Sequence, residues 1–220
     1  MNYTAFSYSR LTNFEQCPKK FYALSIAKSF KENESEQMLY GSQVHKALER
    51  RIAANAPLPN YLGYLEPTMG QLAMAAGQKF VEFQMAVDYD WNPCEWFAKK
   101  TYCRAIADLA IDFGKKALLF DYKTGNKSED TTQLCLTGDV FFHHRPELEE
   151  IRLAFIWTKD QTTTQVHITR DGMADRWSEL APRVERYQHA FERHEFPPRA
   201  GRHCRYCPVS SCPNFVGKAA

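Results

Sequence analysis

The 220-residue sequence has no long hydrophobic run and no strong excess of charge of either sign. No stretch approaches the roughly 20 apolar residues that a membrane-spanning helix needs, and the start lacks the basic-then-apolar pattern of a signal peptide. The formal net charge is only +2, so any nucleic-acid contact must come from a local basic track. We therefore expect a cytoplasmic globular protein without a membrane segment.

Internal repeats, low-complexity segments and a complete phosphate loop are also missing. Residues 125–128, Gly-Asn-Lys-Ser, lack the Gly-Lys pair and the earlier glycine of that loop, which excludes an ATPase of this type. With 44% hydrophobic and 14% aromatic residues, the chain can fill one good core. We expect a single domain over 1–220, with a helical N-terminal part (1–90), a sheet core with the active site (91–170) and a C-terminal helix and tail (171–220).

Hydrophobic periodicity predicts the order of helices and strands. Helices are predicted from the first serines onward, over 38–54, over 66–87, after Gln133 and over 170–194. Strands are predicted over 94–103, 104–113, 117–122, 151–160 and 162–171.

Two aspartates lie on the neighbouring strands of the hairpin predicted over 104–113 and 117–122. Asp108 is within the first strand, Asp121 is near the end of the second, and strand alternation places Asp121 and Lys123 on one face. Two carboxylates and an ammonium group can hold a divalent metal beside a water or a phosphate, which is the chemistry of phosphodiester cleavage. On its own, the stretch is better explained as a strand that ends in a solvated turn.

The helix predicted over 38–54 carries a histidine, His45. His45 is one turn after Gly41 and one turn before Glu49, so the three share a face. A glycine inside a helix indicates close approach of another segment. A lone histidine is most often solvated, so it supports a metal site only together with other ligands.

The seven cysteines are an odd number, which in a reducing compartment favours ligands or buried thiols over disulfides. Cys204, Cys207 and Cys212 crowd a tail with little helix or strand propensity, and such a tail needs a crosslink. Three thiolates can hold a metal centre, but a closed site needs a fourth ligand. The candidates for that ligand are Cys17, Cys94, Cys103, Cys135 and His203.

Taken in order, these motifs resemble the RecB-type branch of the PD-(D/E)XK nuclease superfamily. The order is Cys17-Pro18, Gly41-x-x-x-His45, Asp108, Asp121-Tyr122-Lys123-Thr124-Gly125, Gln133 and Cys204-x-x-Cys207-x4-Cys212. Within that branch the chain is most similar to the iron–sulfur members, such as the CRISPR-associated adaptation nucleases and the AddB nuclease domain. The similarity covers nearly the whole sequence.

The resemblance implies an α/β fold, a mixed sheet flanked by helices with a restriction-endonuclease-like core. It also implies a [4Fe-4S] cluster that joins the two ends of the chain. Its ligands would be Cys17, Cys204, Cys207 and Cys212. The last cysteine spacing is one residue shorter than the common pattern, so Zn²⁺ at the same cysteines stays an alternative.

The resemblance further implies a Mg²⁺- or Mn²⁺-dependent deoxyribonuclease. The metal would be held by the side chains of His45, Asp108 and Asp121 and by the backbone carbonyl of Tyr122. Lys123 would position or activate the attacking water, and Gln133 would orient the site. Two positions depart from the family pattern, because Thr137 stands where a tyrosine is usual and Ala105 where a glycine is common.

As to function, we expect an exonuclease acting on single-stranded DNA or DNA ends in recombination, repair or DNA capture, with room for a helicase or integrase-like partner. The alternative is a non-catalytic cysteine-cluster module that binds nucleic acid or assembles a DNA-processing complex. The expected substrate contacts are basic and aromatic residues near the site. They are Lys99, Lys100, Arg104, Lys127, Trp91, Trp96 and Tyr122.

Overall fold

The computed structural model describes residues 3–32 and 35–217. It divides into two compact units, each taken by itself below. The larger is Ser35–Arg176, and the smaller combines the two ends of the chain, Met1–Glu34 and Trp177–Ala220. The three-part division of one domain that the sequence suggests stays a prediction.

The larger unit contains a six-stranded sheet with the order β2-β1-β3-β4-β5-β6. The strands are β1 Gln78–Asp88, β2 Pro93–Cys94, β3 Thr101–Asp112, β4 Lys116–Lys123, β5 Glu150–Trp157 and β6 Thr162–Thr169. Only β4 and β5 pair in parallel, and the other neighbours are antiparallel. The predicted mixed sheet is confirmed, and so is the hairpin, which β3 and β4 form.

Helices α3 (Glu36–Ala54) and α4 (Glu66–Met74), with a 3₁₀ helix (Asn60–Leu65), cover one face of this sheet. Ser35 caps α3, because its hydroxyl accepts a hydrogen bond from the Met38 amide. Buried apolar side chains recur every fourth residue along α3, and each contributes about 1.5–3 kcal/mol when fully removed from water. They are Val44, Leu48 and Ile52.

Helix α5 (Thr132–His144) packs on the other face at β5 and β6. The contact is close because Gly138 has no side chain, and a Cβ there would come within 2.6 Å of the Ile168 side chain and 3.1 Å of Leu153. Successive residues of β4 point to opposite faces of the sheet. Tyr122 belongs to the core under α3 and α4, so Asp121 points to the face that α5 covers.

The sequence-based helix over 66–87 is wrong in its second half, because residues Gln78–Asp88 form β1. Helix α4 stops at Met74, and Gly77 lies so close to β3 that a Cβ would come within 2.6 Å of Ile111 Cγ2. Short apolar runs fit a helix and a strand equally well by spacing, and the β-branched and aromatic residues of this run favour the strand.

The predicted strand over 94–103 is wrong for residues 95–100. Residues 95–100 form consecutive turns, closed by the bonds from Ala98 N to Glu95 O and from Thr101 N to Ala98 O. Strand β3 starts only at Thr101. The two strands adjacent to it in the sheet are β4 and β1.

The smaller unit contains α1 (Tyr8–Gln16), α2 (Pro18–Phe21), a π-helical turn (Tyr22–Ile26), most of α6 (Met173–Arg193) and a 3₁₀ helix (Arg202–Tyr206). Ser7 caps α1, and the predicted N-terminal helix is interrupted at Cys17, whose extended backbone is followed by a proline at the start of α2. Edge-to-face aromatic pairs form its core, among them Phe14 with Tyr187 and Phe21 with Phe191. No helix in the described part of the chain is long and apolar enough to cross a membrane.

Candidate metal-binding active site

The hairpin brings its two aspartates and its lysine together, and α5 adds an amide. Asp108 Oδ2 accepts a hydrogen bond of 2.6 Å from the backbone N–H of Tyr122. Lys123 Nζ lies 2.7 Å from Asp121 Oδ1 and donates to Gln133 Oε1 at 2.9 Å. Gln133 Nε2 in turn donates to Asp121 Oδ2 at 2.8 Å. These three side chains therefore form a closed ring that fixes the ammonium group beside the carboxylate.

Helix α3 delivers His45 to the same place. His45 Nδ1 lies 3.3 Å from Asp108 Oδ1, and its ring meets the Tyr122 ring edge-on at 5.8 Å. Gly41 permits this approach, because a Cβ there would lie 3.1 Å from Thr124 Oγ1, just after β4. The glycine thus marks a close contact between the helix and the strand end, as its position in the sequence suggested.

Glu82 completes a group of three side chains whose ligand atoms, with those of His45 and Asp108, all lie within 4.8 Å of one another. It lies on β1 opposite Asp108, since the residues on either side of the two are paired. Its φ of 48° is left-handed, which is costly for a side-chain-bearing residue and is typically kept where a site requires it.

Sequence reasoning missed Glu82 because it placed this stretch in a helix. The only signal was an acid inside an apolar run, and that signal gains meaning once β1 is known to pair with the strand that carries Asp108.

Burial and neighbouring charges shift the pKa values of the cluster residues. Burial, and then the negative charge of Asp108, raise the pKa of Asp121 to about 6, although Lys123 opposes the rise. Burial and the same aspartate also raise the pKa of Glu82. Burial lowers the pKa of His45, but its hydrogen bond to Asp108 and the surrounding carboxylates outweigh that effect and raise it. A divalent cation among these carboxylates would offset their mutual repulsion.

The donor set fits a divalent metal ion. Asp121 is 7% exposed, and its Oδ1 lies 2.7 Å from the Lys123 ammonium nitrogen. Buried carboxylates with one imidazole suit Mg²⁺ and, better, Mn²⁺. The residues that would hold the ion are His45, Glu82, Asp108 and Asp121.

Comparison with known proteins gives the family. The model of the PD-(D/E)XK nuclease superfamily matches residues 5–213. The chain belongs to this superfamily. Its members generally use divalent metals, in agreement with the acidic site described above. No curated protein matches the chain.

Solved structures share the fold of this PD-(D/E)XK chain. A "putative exonuclease" from Eubacterium rectale aligns with a TM-score of 0.55 and 13% identity, covering 94% of this chain and 87% of that one. The structure of SSO0001 aligns with a TM-score of 0.45 and 15% identity, covering 98% and 88% respectively. At 13% identity, the Eubacterium rectale structure indicates a common fold and nothing about substrate.

The structure gives the positions of Tyr122 and Thr137, while their roles toward a metal or DNA stay predictions. Tyr122 is held by its amide on Asp108, and the role of its carbonyl stays a prediction. Thr137, which stands where relatives carry a tyrosine, is buried, and its hydroxyl donates to the backbone carbonyl of Gln133. It therefore stabilises α5 from within and presents no ring to a substrate.

Several predicted DNA contacts are engaged elsewhere. Lys100 pairs with Asp88 at 2.8 Å, and Arg104 donates to the Trp96 carbonyl at 2.7 Å with its guanidinium over the Trp96 ring. Tyr122 is 1% exposed, so the expectation that its ring stacks on bases is wrong. Lys99, Lys100 and Lys127 are exposed, and Lys127 Nζ lies 4.0 Å from Glu129 Oε1. Trp91 stacks on His143 at 5.3 Å.

The cysteines divide between the units. In the smaller unit, the Arg199 amide donates to Cys17 Sγ at 3.4 Å, and Cys204 Sγ lies 4.0 Å from the Arg199 carbonyl. Cys17 and Cys204 therefore both contact the backbone of Arg199. Within residues 3–32 and 35–217, no three cysteine sulfurs lie within 4.8 Å of one another, so the cluster stays a prediction. In the larger unit, burial raises the pKa of the Cys103 and Cys135 thiols.

Proposed function

We propose that this chain is a Mg²⁺- or Mn²⁺-dependent deoxyribonuclease that hydrolyses phosphodiester bonds at the site formed by α3, β1, β3 and β4. The observation that carries the proposal is the buried Asp121 carboxylate. Lys123 Nζ lies 2.7 Å from one of its oxygens, and the three-ligand group of His45, Glu82 and Asp108 stands beside it.

The residues divide the chemistry among them. A divalent ion bound by the acidic cluster would polarise the scissile phosphate and lower the pKa of a coordinated water. Lys123 is held by Asp121 and Gln133 and directs a fixed positive charge at the place where negative charge develops on the phosphate oxygens. The amide oxygen of Gln133 accepts a hydrogen bond from Lys123, and its amide nitrogen donates one to Asp121. Gln133 is therefore a positioning residue.

For the substrate we propose single-stranded DNA or DNA ends and exonuclease action, in recombination, repair or DNA capture. The order of the motifs supports the RecB-like branch, and the protein from Eubacterium rectale, with the same fold, is described as a "putative exonuclease". A helicase or integrase-like partner fits the same role.

We further propose that Cys17, Cys204, Cys207 and Cys212 hold a [4Fe-4S] cluster, with Zn²⁺ as the alternative. The support is local. The backbone N–H of Arg199 donates to Cys17 Sγ, the type of hydrogen bond that tunes cluster sulfurs, and Cys204 Sγ lies 4.0 Å from the carbonyl oxygen of the same residue.

The test is cleavage of end-labelled single-stranded and duplex DNA of one sequence after chelator treatment and after addition of Mg²⁺ or Mn²⁺. We expect metal-dependent product from the wild type and at least a thousandfold lower rate for Asp121→Asn, because charges positioned on a phosphoryl transition state dominate its stabilisation. Asp160→Asn, an exposed acid in the turn after β5, serves as the matched control. Metal-independent DNA binding without cleavage would favour the non-catalytic module instead.

A further inference from the structure

Three tyrosine rings lie together on the surface of the larger unit. Tyr40 is on α3, and Tyr61 and Tyr64 are on the 3₁₀ helix Asn60–Leu65, where residues three apart share a face. The Tyr40 and Tyr61 ring centroids are 6.3 Å apart, and the pKa of Tyr64 is raised by burial and then by Tyr40. The three are 43%, 51% and 40% exposed, and we name them the tyrosine platform.

The tyrosine platform is connected to the end of β4 by hydrogen bonds through Thr158. The Tyr64 hydroxyl donates to the Thr158 carbonyl at 2.7 Å. The Thr158 amide and hydroxyl both donate to the Lys123 carbonyl, at 2.9 and 3.2 Å. Tyr40 also precedes Gly41, the residue that closely approaches Thr124. The platform therefore stands beside the backbone of Lys123, at the margin of the candidate active site.

Exposed aromatic rings at such a margin have a specific use. Met38 and Leu39, in the first turn of α3, are exposed as well, and a grouping of large apolar side chains on a protein surface marks a binding surface. Unpaired bases stack on aromatic rings regardless of sequence, whereas the bases of a duplex already stack on one another and hide their faces.

The charge next to the tyrosine platform suits a phosphate backbone. Lys159 follows Thr158, and its ammonium group donates to Asn126 Oδ1 at 2.9 Å. In the part of the chain that the structure describes, Lys159 forms no ion pair, so its charge is left for a phosphate. Rings for bases next to cations for phosphates are the combination by which single strands are bound.

We propose that the tyrosine platform stacks the unpaired bases of a single DNA strand and feeds that strand into the metal site. This inference rests on the proposed function and adds the residues that select single-stranded over duplex substrate. Tyr40 and Tyr61 supply the stacking faces. Tyr64, whose hydroxyl is bonded to the Thr158 carbonyl, fixes the platform relative to Lys123.

The test is binding of a single-stranded oligonucleotide that carries 2-aminopurine to the full chain in chelator, where cleavage is prevented. We expect Tyr40→Leu and Tyr61→Leu each to weaken binding about tenfold and to reduce the quenching of 2-aminopurine fluorescence, which reports stacking. Tyr40→Phe and Tyr61→Phe keep the rings and should bind like the wild type. Phe113→Leu is the matched control, because Phe113 is an exposed ring at the opposite end of β4, beside the hairpin turn.

Several results would overturn the inference. Unchanged affinity and quenching in both leucine variants would, and so would an equal loss of affinity for a duplex of the same sequence. Sedimentation that shows a wild-type dimer and monomeric leucine variants would identify the platform as a contact between two copies. Failure of the proposed function looks different, since the wild type with Mn²⁺ then cleaves no DNA, whereas failure of the inference alone leaves cleavage intact and insensitive to the tyrosines.

Discussion

At the scale of single residues, the candidate site concentrates charge that the fold alone does not need. Three carboxylates and a histidine lie together at the junction of α3 with three strands, where the charge of Lys123 acts on Asp121 and that of Lys46 on Glu82. Such an arrangement costs stability in the absence of a cation, which is typical of functional sites.

Asp121 makes that cost measurable. Its pKa is raised from 3.8 to about 6 in the folded protein, so between these values the folded state holds a proton that the unfolded state has released. The contribution of Asp121 to the free energy of unfolding therefore falls as pH rises from about 4 to 6. We expect metal-free Asp121→Asn to lack this decline and to unfold at a higher temperature than the wild type at pH 7. Thermal unfolding in chelator at pH 4.5 and 7 tests it, and parallel pH profiles for the two proteins would contradict it.

Glu82 offers a pair of variants that separate charge from backbone strain. Glu82→Gln removes the charge and keeps the left-handed backbone, whereas Glu82→Gly also relieves the strain of φ 48°. We expect both to need at least several-fold more Mn²⁺ for half-maximal activity, and Glu82→Gly to be no less stable than Glu82→Gln. His45→Ala should shift the metal titration in the same direction.

Mn²⁺ titrations of the cleavage rate, with thermal unfolding of the same samples, check the Glu82 prediction. A wild-type titration for Glu82→Gln would remove Glu82 from the metal site.

At the scale of elements, the distance between α3 and the end of β4 positions His45. A Cβ at residue 41 would lie 3.1 Å from Thr124 Oγ1, tighter than most real contacts. We expect Gly41→Ala to raise helix stability by up to about 1 kcal/mol and yet to lower the cleavage rate several-fold, because the helix must shift. Thr124→Ala removes the obstructing hydroxyl and should restore activity in the double variant. Additive effects of the two changes on the rate would show that this contact does not position the helix.

The same elements show what the sequence could predict. The hairpin, β5, β6, α5 and α6 were predictable because their apolar patterns are bounded by turn residues and have the length of one element. Strand β1 was not, since its spacing also fits a helix, and only its pairing with β3 decides between them. Glu82 lies on β1, so the wrong prediction for this strand also hid Glu82 as a site residue. His45, Asp108, Asp121, Lys123 and Gln133 were found as motifs, but their hydrogen bonds depend on contacts between distant segments.

At the scale of the whole molecule, the smaller unit joins the two ends of the chain, and the proposed cluster would crosslink them. We expect Cys17→Ser and Cys204→Ser each to lose bound iron and to lower the unfolding temperature, because a crosslink that closes so long a loop is worth several kcal/mol. Cys94→Ser, in the larger unit, is the control and should change neither. Iron content and the visible spectrum near 400 nm, measured on protein purified without oxygen, check this, and full iron occupancy in Cys17→Ser would point to another ligand.

The assignment of phosphodiester cleavage to this site is tested most directly by the single-turnover cleavage rate of Lys123→Ala with saturating Mn²⁺. Lys116→Ala is the matched control, because Lys116 is an exposed lysine at the other end of the same strand. We predict that Lys123→Ala still binds single-stranded DNA and Mn²⁺ but cleaves at least a thousandfold more slowly than the wild type, while Lys116→Ala cleaves normally. A folded Lys123→Ala protein that cleaves at the wild-type rate would contradict the assignment.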